Sequence, residues 1–108
     1  WAEWCAPCRK EIPELNQLAK NYSEKKLQVL GVNFDNLPSS ETLDIATKMG
    51  VKFQMITTVQ AEQLNLSYPI VLPTTYILSP DNKVIKKLIG EQTEQSLLEE
   101  FKRLNISL

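Results

Sequence analysis

The two cysteines of this chain stand three positions apart in the run Trp4-Cys5-Ala6-Pro7-Cys8, and there are no others. Any disulfide within the chain must therefore join Cys5 to Cys8. So small a ring removes little entropy from the unfolded chain, which makes it a poor staple. A zinc site wants about four sulfur or nitrogen ligands, and with no histidine this chain offers two cysteines. A metal site built on them needs a second chain, so the spacing favours redox chemistry over metal binding.

The residues that follow place the pair on a helix. From Cys5 to about Lys25 the apolar residues Ile12, Leu15, Leu18, Ala19 and Tyr22 recur at helical spacing. Pro13 falls inside that pattern and is expected to kink it by removing one backbone donor. Cys5 then lies where the helix begins, facing unpaired N–H groups and the positive dipole end, a setting that favours thiolate. Cys8 follows on the next turn of the same face. The spacing suits two-step exchange, with an exposed nucleophile at Cys5 and a more buried resolving thiol at Cys8. Pro7 fits near a helix start because its missing N–H would have had no partner.

Beyond the first helix, Leu27–Phe34 reads as a buried strand, and Pro38-Ser39-Ser40-Glu41 opens a second helix with a serine as N-cap. Leu43, Ala46 and Met49 form its expected apolar face, and Gly50 stops it. Val51–Ile56 reads as a short strand and Thr58–Leu66 as a short helix. Thr74–Leu78 and Val84–Ile89 form a hairpin around the turn residues Ser79–Lys83. Thr93–Asn105 closes the chain as a helix with Leu97, Leu98, Phe101 and Leu104 inward. This order predicts an α/β fold with a mixed sheet covered by helices. The 108 residues suit one domain, and the 43% hydrophobic content suffices for an ordinary core. With 12 basic and 13 acidic residues and no block of like charge, nothing points to nucleic acid. No apolar run approaches the roughly 20 residues of a membrane helix.

Trp4-Cys5-Ala6-Pro7-Cys8 resembles the active-site motif of the thioredoxin superfamily. The extension Arg9-Lys10-Glu11-Ile12-Pro13 is similar to its TlpA/ResA/DsbE-like branch, the extracytoplasmic thioredoxin-like reductases. Val71-Leu72-Pro73-Thr74-Thr75-Tyr76 resembles the cis-proline segment before the hairpin. The resemblance spans essentially all of residues 1–108 and implies a thioredoxin-like fold with an inserted helix and strand at 39–56. It implies Cys5 as nucleophile, Cys8 as resolving cysteine, and Pro73 in a cis-Pro loop whose adjacent backbone pairs with substrate. Glu11 corresponds to an acid that tunes the thiols, and Trp4, Pro7, Leu72 and Thr74 are candidate substrate contacts. In this fold an apolar central strand runs into the motif, whereas only Trp1-Ala2-Glu3 precede it here. The expectation is a domain lacking its first central strand.

The implied activity is thiol–disulfide exchange without a cofactor, in the reductant direction. Substrates would be protein disulfides outside the cytoplasm, such as those of cytochrome c precursors, and a membrane-bound thiol donor would restore the pair. Two rivals stand beside it. A peroxidase of the peroxiredoxin sort needs its cysteine in another sequence setting. A redox-inactive or copper-binding module would have to hold copper through two thiolates plus a methionine or partner ligand. Single residues have plainer readings too: Trp4 as a partly exposed packing aromatic, Glu11 as a solvated acid near a helix start, and Pro73 as a trans proline at a strand start. Tyr68 and Tyr76 read as core or rim.

Overall fold

The computed structural model of the protein describes residues 1–24 and 27–108. Its element order is α1 (Ala6–Asn21), β1 (Leu30–Val32), α2 (Ser39–Lys48), β2 (Gln54–Ile56), α3 (Thr58–Gln63), β3 (Thr74–Leu78), β4 (Val84–Ile89) and α4 (Glu94–Arg103). Helix α1 runs through Pro13 without interruption and turns Cys8, Glu11, Ile12 and Leu18 inward. The expected helix end near Lys25 lies outside the described residues. Strand β1 is shorter than the apolar run Leu27–Phe34, because only Leu30–Val32 pair with a partner strand, in parallel register with Gln54–Ile56. Gly31 is needed there, since a Cβ on it would sit 2.9 Å from the Phe53 ring.

Helix α2 corrects two expectations. Its N-cap is Pro38, with no side-chain cap hydrogen bond, and Ser39 is already helical. Proline's restricted φ, here −52°, with an extended ψ of 147° fits the half-in cap position, and Thr42 N–H reaches Pro38 O at 3.0 Å. The buried face is Thr42 and Ala46, while Leu43 is exposed. A threonine can point inward because its hydroxyl donates to Leu37 O at 3.3 Å. Gly50, at φ +78°, ends the helix as expected.

The hairpin follows the sequence reading: β3 and β4 pair antiparallel from Thr74↔Ile89 to Leu78↔Val84. Thr93 caps α4 in a reciprocal capping box with Ser96. Leu97 and Phe101 of α4 join Leu18 of α1 and Ile77 of β3 in the main buried cluster.

The sheet differs from the single mixed one expected. The parallel pair β1–β2 and the antiparallel pair β3–β4 are separate two-stranded sheets. Between them lies a cavity of about 470 Å³, bordered by Leu30 and Val32 on one side and Thr75 and Ile77 on the other. Trp1 reaches the near edge of β1, where its nitrogen donates to Val32 O at 3.0 Å and its carbonyl accepts from Phe34 N at 2.8 Å. Those two bonds make one parallel bridge. The gap therefore separates β1 from β3, with Trp1 bonded to the end of β1.

Candidate functional site

Cys5 is the N-cap residue of α1, with φ −91° and ψ 103°. Its sulfur accepts the Cys8 amide at 3.3 Å, so a cysteine performs the office usually held by serine or aspartate. Pro7 sits in the first turn, where a missing N–H costs nothing. The two cysteines are joined in a disulfide with Cα atoms 5.2 Å apart. The Cys5 sulfur thus lies beside an amide N–H at the positive end of the helix dipole.

Burial of the pair departs from the sequence expectation. Cys8 is 1% exposed, as a resolving thiol should be, but Cys5 is 5% exposed and not open to solvent. Trp1, Phe34 and Leu72 pack against the buried cluster of Ala2, Cys5 and Cys8. The Leu72–Pro73 peptide is cis, and Pro73 is buried. Its carbonyl accepts from Gly90 N at 2.9 Å, which fixes this segment to the end of the hairpin.

Glu11 follows Cys8 by three residues, is buried, and lines the same cavity as Cys8 and Pro73. Burial raises its pKa above the usual carboxylate range, while the hydrogen bond from Gln92 N pulls the other way. That bond is 2.8 Å long, to Oε2. The solvated-acid reading of Glu11 therefore does not hold.

The candidate substrate contacts have different surroundings. Trp4 is 64% exposed, and its indole N–H is shared between the two carboxylate oxygens of Asp35 at 3.1 and 3.2 Å. Pro7 is exposed, and Leu72 and Thr74 are half-buried. The Thr74 hydroxyl turns back to Val71 O. Four residues at the site were given no functional role from the sequence: Phe34, Asp35, Tyr68 and Gln92. Their contacts bridge more than 30 positions of chain, and no local pattern marks them. Among the described residues, no group of three or more histidine, cysteine, aspartate or glutamate side chains is placed to hold a metal ion.

A helix N-terminus bearing a Cys-Ala-Pro-Cys disulfide, beside a buried cis-proline and between two sheets, defines a thioredoxin-like protein. The chain belongs to the AhpC/TSA family, whose model matches residues 1–87, and within the thioredoxin superfamily it is ResA-like. It is 36% identical over 109 positions to "Thiol-disulfide oxidoreductase ResA" of Bacillus thuringiensis, covering 96% of this chain and 60% of that protein. The chain thus spans about 60% of the length of such curated relatives. Among solved structures it resembles StoA from Bacillus subtilis, with a TM-score of 0.72 and 23% identity over 92% of this chain and 75% of that one. A putative thiol:disulfide interchange protein DsbE from Chlorobium tepidum gives a TM-score of 0.69 and 24% identity, covering 97% and 74%. These two likenesses establish the fold.

Proposed function

We propose that the chain performs dithiol–disulfide exchange on protein disulfides through Cys5 and Cys8. The observation that carries this reading is the Cys5–Cys8 disulfide at the N-terminus of α1, with the Cys5 sulfur accepting the Cys8 amide. In the reduced protein the Cys5 thiolate attacks one sulfur of a substrate disulfide, forms a mixed disulfide, and expels the other substrate sulfur as thiolate. Cys8, deprotonated, then attacks the Cys5 sulfur and releases the second substrate sulfur as a thiolate. The Cys5–Cys8 bond re-forms, and two electrons have passed to the substrate.

Pro73 and the backbone beside it would receive the extended substrate chain, since Leu72 packs directly on the cysteine cluster. Glu11, buried with a raised pKa in the cavity shared with Cys8, can hold a proton near the resolving sulfur. Trp4 and Leu72 flank the pair as substrate contacts, with Pro7 at the helix start and Thr74 at the first residue of β3 as further candidates. The finer parts of the reading come from the family resemblance. The domain works outside the cytoplasm as a reductant, a membrane-bound thiol donor regenerates it, and cytochrome c precursors are among its substrates. Among the described residues no helix is long and apolar enough to cross a membrane.

The test is a trap. With Cys8→Ser, a disulfide-bonded peptide should stay attached to Cys5 as a stable mixed disulfide, visible as a mass increase that dithiothreitol removes. Cys5→Ser should give no such adduct. Equal trapping by both variants, or by neither, would contradict the assignment of nucleophile and resolving thiol.

A further inference from the structure

Between α3 and β3 the chain passes along the cavity as a strap, Ser67–Leu72. Among the described residues no backbone–backbone hydrogen bond involves this strap. Side-chain hydroxyls hold it instead. Tyr76 donates to Ser67 O at 2.8 Å, Thr74 donates to Val71 O, and Tyr68 donates to Phe34 O. The first two tie the strap to β3, its own continuation. Of the three, Tyr68 alone ties it across to the loop after β1.

The tie has a second component. The Tyr68 and Phe34 rings lie with centroids 4.8 Å apart, and Phe34 meets Trp4 edge-on at 6.0 Å. Phe34 is itself anchored, since its amide donates to Trp1 O. Phe34 and Leu72 both pack on the cysteine cluster. Tyr68 is 60% exposed, so it adds little to the core. What it fixes is the separation of two segments that flank the disulfide.

We infer that Tyr68 is a positioning residue: it ties the Ser67–Leu72 strap, whose far end Pro73 fixes to Gly90, to the loop after β1, and so shapes the groove that receives the peptide around a substrate disulfide. The inference rests on the exchange reading above. The unpaired backbone of the strap is the surface an extended peptide can pair with, and a strap free to swing away must be ordered again at each binding event. Tyr68 is not part of the cysteine cluster and shares no hydrogen bond with Glu11. Its effect belongs in binding and not in the chemistry of the thiols.

The experiment compares Tyr68→Phe and Tyr68→Leu in the full-length protein, using reduction of a peptide disulfide at steady state. Removing the hydroxyl alone should raise KM about 2- to 10-fold, the range one hydrogen bond supplies. Tyr68→Leu, which also loses the ring contact, should raise it further, and Tyr68→Phe should regain part of that loss. The kcat and the reduction potential of the Cys5–Cys8 couple should stay at the wild-type values. An unchanged KM in both variants overturns the inference, as does a potential that moves together with KM. A wild-type protein with no exchange activity overturns the exchange reading and this inference together, and that result is seen before any variant is made.

Discussion

The hairpin half and the dithiol half of this molecule are held together by different means. Around β3, β4 and α4 a five-pair backbone ladder, a reciprocal capping box and the packed side chains of Leu18, Ile77, Leu97 and Phe101 set the structure. Around Cys5 and Cys8 the chain consists of a helix tip, the loop after β1 and a strap with no backbone pairing of its own. There single side-chain contacts, Trp4 to Asp35, Tyr68 to Phe34 and Glu11 to the Gln92 amide, add to the one parallel bridge between Trp1 and the end of β1. The lesson is a division between stability and chemistry. One half resists unfolding, and the other leaves the backbone groups of the strap available to a second chain beside a buried sulfur pair.

The largest test of that division lies in the packed half. Leu97 is 2% exposed at the centre of the main cluster, and Leu97→Ala should cost about 2–5 kcal/mol in denaturant unfolding. The reduction potential of Cys5–Cys8 should not follow. A potential that shifts with the lost stability would break the division.

Glu11 gives a smaller and more selective effect, from the dithiol side. Burial raises its folded pKa above the unfolded value. The folded state therefore holds its proton more tightly, and stability is lost as pH rises from the ordinary carboxylate range through the raised value. Glu11→Gln should remove that loss, because a neutral amide can still accept the Gln92 N–H. The variant should be more stable than wild type at neutral pH and equal to it in acid below the ordinary carboxylate range. Unfolding curves across pH check the sign: a variant less stable at neutral pH would mean that the charged form of Glu11 is favoured by its surroundings.

The same division explains what the sequence made legible. Strands β3 and β4 and the turn between them were readable to the residue, because turn chemistry is local and the partner strand follows at once. Thr93 at the start of α4 and Gly50 at the end of α2 carry equally local signals. The run Leu27–Phe34 misled about length, since apolar residues mark what can be buried, while the strand extends only as far as Gln54–Ile56 pair with it. Leu43 misled about the face of α2 because Thr42 satisfies its hydroxyl on Leu37 O and takes the inward place.

At the site the motif residues Cys5, Cys8 and Pro73 were visible because their spacing and neighbours are distinctive. The residues that hold them were not. Phe34 and Tyr68 touch across 34 positions, and Gln92 reaches Glu11 across 81. Tyr68 in particular looks in sequence like any rim aromatic. Only the path of the strap gives it a task.

The measurement that bears most directly on the central claim is the redox equilibrium of the Cys5–Cys8 pair. The full-length protein is equilibrated with glutathione or dithiothreitol buffers of graded potential, and the free thiols are counted. A reversible two-electron couple near or below the thioredoxin value of about −270 mV is the predicted result for a reductant. Thiols that show no reversible couple at any buffer potential would contradict it.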